Sequence, residues 1–391
     1  MIRTKFSAIA FSNLLFLSFF FPTPARTIHP APAFSQGQAA SSAQATSPVQ
    51  IQSDIPSLCK ILSGNFFVGA AIWQGDLNGP HSDLLKKHFN SITTENAMKW
   101  ASLRPSEKSF DFTTADALVG FARTNHMRVR GHTLVWHRQN PSWLFKDASG
   151  NDMQPTPENK ALLLKRLEDH IRGVVSHFRD DVYAWDVVNE VIDPAEPDGF
   201  RRSPWFLITG TDYIDTAFRI AHEVAPNARL FINDYDTTIP AKRAFLYKLV
   251  ADLKKRNIPV DGVGHQMHID ISQPSVEIIT ETINMFSALG VDNQITEFDI
   301  SVYTDSSSSY TSVPDKILLQ QAYRYRDIFQ ALRNLKDKIS AVTFWGIADD
   351  HSWLNGYPVR RLNLPLLFDR QSQAKYAYWG IVDSSRLPGM P

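Results

Sequence analysis

A single α/β domain built as a closed parallel (β/α)8 (TIM) barrel is the fold class the sequence predicts, on three observations. From Phe66 onward, eight short runs rich in β-branched and aromatic residues alternate with longer amphipathic, helix-like segments. No internal repeat and no glycine-rich phosphate loop accompanies them, which argues against an open doubly wound sheet. Polar side chains gather where the runs end, and in such a barrel ligands bind at the C-terminal ends of the strands.

The expected strands are Phe66–Ile72, Ser91–Asn96, Arg128–Val135, Tyr183–Asn189, Arg229–Tyr235, Gly262–His268, Gln294–Ile300 and Ser340–Trp345. Helical periodicity marks Lys160–Phe178, Tyr213–Val224, Lys242–Arg256, Ser275–Leu289 and Ile317–Leu335 between them. The chain has 391 residues, 43% of them hydrophobic, enough for one large core. The barrel is expected over residues 54–385, with a tail at 386–391. Forty basic and forty acidic side chains cancel, so neither nucleic acid nor an anionic membrane surface is expected as a partner.

Residues 1–33 read as a signal peptide. Arg3 and Lys5 precede a mostly apolar run from Phe6 to Phe21, and small residues follow at two candidate cleavage sites, after Ala25 or after Ala33. The run is short for a membrane anchor, and Ser and Asn interrupt it. Residues 34–53, rich in Ser, Ala and Gln, read as a flexible leader. The protein is therefore expected to be secreted, extracellular or periplasmic, with no membrane partner after cleavage, and a monomer. Cys59 is the sole cysteine, so no internal disulfide can form, and its place in an apolar-periodic stretch gives it a packing role.

The fourth strand ends on Asn189 and Glu190, and a carboxylate tipping an apolar strand is costly to bury unless it is used. In the seventh, period-two alternation puts Glu297 and Asp299 on one face and Thr296, Phe298 and Ile300 on the helix side. The second strand ends in Thr94-Glu95-Asn96 with Lys99 nearby, a set able to hold hydroxyls or to form a plain Glu95–Lys99 ion pair. On the third, His132, Trp136 and Gln139 lie at or beyond the strand end, and Gly131 permits close packing. The fifth ends in Asn233-Asp234-Tyr235, and the sixth puts Gln266 and His268 on one face with Met267 opposite. Trp345 and Trp353 flank the eighth strand end, flat faces suited to a pyranose ring.

His132 and His137, five residues apart on an extended strand, point to opposite faces, and the same parity separates His265 from His268. No metal-ligand spacing occurs, so no metal and no cofactor are expected. Two carboxylates facing each other across a barrel mouth suit cleavage of a glycosidic bond. One protonates the leaving oxygen, and the other attacks the anomeric carbon or activates water.

These segments, together with Gly264 to His268 and Ile295 to Ile300, resemble in order the motifs of glycoside hydrolase family ten, the retaining endo-β-1,4-xylanases, across roughly Ile55 to Asp383. The resemblance implies Glu190 as acid/base and Glu297 as nucleophile, with Asn189 on the sugar 2-hydroxyl. It implies His268 and Asp299 as the pair that positions Glu297. Glu95, Asn96, Lys99, His132, Trp136, Gln139 and Gln266 match the glycone-side set, with Trp345 and Trp353 closing over it and Tyr235 on the aglycone side. Xylan and xylo-oligosaccharides are the implied partners. Thr94, Asp236 and Leu354 depart from residues frequent in the family. A β-1,4-glucanase and a non-catalytic carbohydrate-binding barrel are the competing readings.

Overall fold

Eight parallel strands close into a ring in a computed structural model of the chain, which describes residues 50–389. The expected signal peptide, most of the leader and the last two residues of the tail lie outside the described residues. The ring runs β1 (Phe67–Ile72), β2 (Ser91–Thr94), β3 (Arg128–Val135), β4 (Val182–Asn189), β5 (Arg229–Asp234) and β6 (Gly262–His265). It continues through β8 (Asp292–Ser301) and β9 (Ile339–Phe344), which pairs back with β1. A three-residue segment, β7 (His268–Asp270), pairs with the far half of β8.

The expected sixth strand is thus broken in two. Met267 takes a left-handed backbone (φ 60°), so the chain leaves β6 after His265 and re-pairs at His268. The regular extended strand assumed there does not survive that turn, although Gln266 and His268 still face the same cavity. A second departure lies in β8, where the register with β9 shifts between Ile295 and Phe298. Thr296 therefore does not take the helix side. Its hydroxyl donates to Asn233 Oδ1 at 2.6 Å inside the barrel, while Phe298 packs outward against Tyr325, Phe329 and Phe344.

Helix boundaries follow capping chemistry more closely than periodicity. Thr156 caps Pro157–His177 by accepting from the Asn159 amide, with Pro157 preset for the first turn. Ser275 likewise caps Val276–Ser287 and is not part of it. The other expected helices form as Asp212–Val224, Pro240–Lys255 and Asp315–Asn334.

The barrel interior is partly polar. Arg130 and Asp186, both buried, are ion-paired, and Arg130 Nε also donates to Gln294 Oε1 at 2.9 Å. Taking both ions out of water is costly, and their mutual attraction together with the Gln294 hydrogen bond offsets that cost. A Cβ on Gly131 would lie 2.2 Å from Trp185 Cε3, so only glycine lets β3 approach that buried indole.

Candidate active site

Glu190 follows the last residue of β4 with φ 57°, a left-handed turn that two backbone bonds hold in place. Its amide donates to Asn233 O at 2.9 Å, and its carbonyl accepts from Arg201 Nε at 2.8 Å. The side chain accepts from Trp136 Nε1 at 2.9 Å on one oxygen and from Gln266 Nε2 at 3.1 Å on the other. His137 Nδ1 lies 3.8 Å from the same oxygen that Trp136 binds. Burial lowers the His137 pKa to about 4 against the pull of Glu190, so its ring is neutral at neutral pH.

Glu297, on β8, is buried and fully engaged. Oε1 accepts from Asn233 Nδ2 at 2.7 Å, and Oε2 lies 3.1 Å from His268 Nε2. His268 Nδ1 is 2.9 Å from Asp299 Oδ2, which also accepts from Trp353 Nε1 at 2.8 Å. Burial alone lowers a histidine pKa, but the charges and hydrogen bonds of Asp299 and Glu297 push that of His268 up to about 10. His268 is then an imidazolium, donating from both nitrogens. Burial raises the Glu297 pKa, yet the His268 hydrogen bond and the His132 and His268 charges hold it below the usual carboxylate range.

Asn233 ties the two halves together. The Thr296 hydroxyl fixes its Oδ1, which turns Nδ2 toward both Glu297 and the Asn189 side-chain amide, the latter at 2.9 Å. Glu190 and Glu297 line one cavity of about 480 Å³, together with Glu95, Lys99, His132, Trp136, Asn189, Tyr235, Gln266, His268, Trp345 and Trp353. Asn96 and Gln139 are not in its wall. They sit one layer out, where Asn96 Oδ1 accepts from Lys99 Nζ and Gln139 Nε2, each at 3.0 Å. Lys99 lies over the Trp136 ring, 4.7 Å from its centroid. Burial lowers its pKa, opposed by the charges of Glu297, Glu95 and Glu190.

The Glu95–Lys99 ion pair does not form among the described residues. Glu95 Oε2 pairs instead with His351 Nε2 at 3.1 Å, a contact made only because the barrel closes β9 onto β1. His137 also sits differently from its expected place. β3 stops at Val135, so the five-residue parity lapses, and both His132 and His137 face the cavity. His265 and His268 are separated as expected: His265 bonds Thr237 and Asn293 and packs on Phe286, away from the cleft.

Four residues that the sequence reading left without a role matter here. Asn233 stood in a recognised strand-end motif, so its signal was present. Arg130 and Asp186 lie within the expected third and fourth strands, and Asp186 Oδ2 also sits 2.9 Å from His132 Nδ1. Arg201 had no such signal, because it lies in an irregular loop and its partners are a backbone carbonyl and the Tyr235 hydroxyl, at 2.8 and 2.7 Å.

A cleft at the C-terminal mouth of a barrel, walled by tryptophans and holding two glutamates on separate strands, defines a glycoside hydrolase. The comparisons with known proteins narrow that class. The chain belongs to glycosyl hydrolase family 10, whose model matches residues 57–384. A thermostable celloxylanase of Thermoclostridium stercorarium is 52% identical over 343 residues, covering 85% of this chain and 89% of that protein. The crystal structure of xylanase B from Clostridium stercorarium F9 superposes with a TM-score of 0.83 at 52% identity, over 84% of this chain and all of that one. A mutant structure in complex with xylotriose matches with a TM-score of 0.80 at 38% identity, over 84% of this chain and 100% of the other.

Proposed function

We propose that this protein is a secreted endo-1,4-β-xylanase that cleaves internal bonds of xylan by double displacement with net retention. One observation carries the mechanism: Glu297 is held ionised by Asn233 and an imidazolium, while Glu190 shares its cavity on a separate strand. Glu297 attacks the anomeric carbon as Glu190 gives its proton to the departing oxygen, leaving a glycosyl ester on Glu297. Glu190, now a carboxylate, takes a proton from water, and that water displaces Glu297 from the same carbon. Asn189, against Asn233 and Gln266, bonds the sugar 2-hydroxyl, a contact that strengthens as positive charge builds on the ring. Trp136, Trp345 and Trp353 wall the site, with Lys99, His132 and Glu95 on the glycone side and Tyr235 on the aglycone side.

The substrate rests on the relatives, several of which are named endo-1,4-beta-xylanases. The name celloxylanase on one of them favours a β-1,4-glucanase side activity as a second reading. A product profile on xylan and soluble cellulose, run on cell-free medium of an expressing culture, tests the whole. Short xylo-oligosaccharides from xylan and much slower release from cellulose are expected. Preferred cleavage of cellulose removes the substrate assignment, and activity confined to the cells removes export.

The ionic chain also sets a pH dependence. A nucleophile held below its ordinary pKa of 4.5 puts the acid limb of kcat/KM below pH 4.5, and His268 is the chief partner that lowers it. His268→Gln is expected to move that limb to higher pH. An unmoved limb contradicts the role of His268. Stability follows by linkage. The raised His268 contributes fully below pH 6.5, less above it, and nothing once the pH passes about 10. The depressed Glu297 contributes fully above pH 4.5 and is lost as pH falls through its lower folded value.

A further inference from the structure

Behind Glu190 lies a set of contacts that the proposed mechanism does not use. Lys242, in the first turn of the helix Pro240–Lys255, is only 1% exposed. Its Nζ is 2.7 Å from Asp234 Oδ1 and 3.1 Å from the centroid of the Tyr235 ring. Asp234, the last residue of β5, is equally buried, and its other oxygen accepts from the Ile192 amide at 3.2 Å, two residues beyond Glu190. The Tyr235 hydroxyl accepts from Arg201 Nη2 at 2.7 Å, and Arg201 Nε grips the Glu190 carbonyl. Two routes therefore run from one lysine to the backbone at and just beyond the left-handed Glu190. One passes through Asp234 to Ile192, and the other through Tyr235 and Arg201 to Glu190 itself.

A burial this complete of a lysine and an aspartate carries a heavy desolvation cost before their attraction is counted, and well-packed apolar residues often serve stability as well. Scaffold alone is therefore a weak account of the pair. Positive φ at a non-glycine residue needs its surroundings to over-determine it, and the two routes do so here. We infer that Lys242 and Asp234 are positioning residues for the acid/base, holding the Glu190 turn so that its carboxyl meets the leaving oxygen. The inference rests on the reading of Glu190 as acid/base.

Loss of the brace should damage proton transfer selectively, since displacements of about 1 Å cost rates on the order of 100-fold. The test is kcat/KM of Lys242→Met and Asp234→Asn on aryl β-xylobiosides whose leaving phenols differ in acidity. A dinitrophenol departs without a proton, whereas phenol needs one. Each variant is expected to lose about 10- to 100-fold on the phenyl substrate and little on the dinitrophenyl one. The ratio of the two rates is independent of the fraction of correctly folded enzyme, so partial misfolding does not blur it. Should one variant fail to fold, the other still reports, and Lys242→Gln offers a milder change that keeps a donor toward Asp234. An unchanged ratio in the folded variants overturns the inference. Glu190→Ala, run alongside, separates the two ideas. If it too leaves the ratio unchanged, the acid/base assignment fails. If it alone shifts the ratio, only the brace fails.

Discussion

Glu297→Ala lowers kcat on xylan by roughly four to six orders of magnitude, the range met when a covalent nucleophile is deleted elsewhere. The loss is this large because no neighbour can substitute. Asp299 accepts from Trp353 and pairs with His268, and it does not line the cavity that holds the two glutamates. Asn233 and His268 would still surround the vacated space, with hydrogen-bond donors aimed where the carboxylate stood. A small anion such as azide is expected to enter it. With Glu190 intact as acid, azide displaces an activated aryl leaving group from the α face, and the product is an α-xylobiosyl azide. Recovery of the β-azide, or activity that survives the substitution, contradicts the nucleophile assignment.

Glu190→Ala is expected to divide substrates by their leaving groups. On xylan, whose departing sugar hydroxyl needs a proton, kcat/KM falls by roughly 10²- to 10⁴-fold. On a dinitrophenyl xylobioside the first step proceeds nearly unaided, and the loss moves to the second, where water has no base. The glycosyl-enzyme then accumulates, so kcat and KM fall together while kcat/KM holds. Azide attacks that intermediate without a base and restores turnover, giving the β-azide. Equal losses on both substrates, with no rescue, contradict the acid/base role.

Much of this site is legible in the sequence. Glu190 and Glu297 stood out because a carboxylate among β-branched residues at a strand end has no structural excuse. The eight strands were legible because alternation with helices leaves few architectures open. What was hidden depends on backbone irregularity. The left-handed Met267 split the sixth strand, and the register shift before Phe298 turned Thr296 inward to orient Asn233. Both break the regular strand geometry, but only the second overturned a facing, since Gln266 and His268 still line one cavity. His137 was misplaced for a related reason, since β3 ends before it. The pairing of Glu95 with His351 joins residues 256 apart, and the grip of Arg201 on Glu190 spans an irregular loop, so no local pattern encodes either.

The central claim is that Glu297 forms a covalent intermediate that Glu190 helps to make and to break, and stereochemistry tests it most directly. Proton NMR of xylo-oligosaccharide hydrolysis, followed before mutarotation, reads the configuration of the newly formed reducing end. Two displacements at one carbon predict that the first product is the β anomer, with the α anomer growing in only as mutarotation proceeds. A first-formed α anomer means a single displacement by water and contradicts the account.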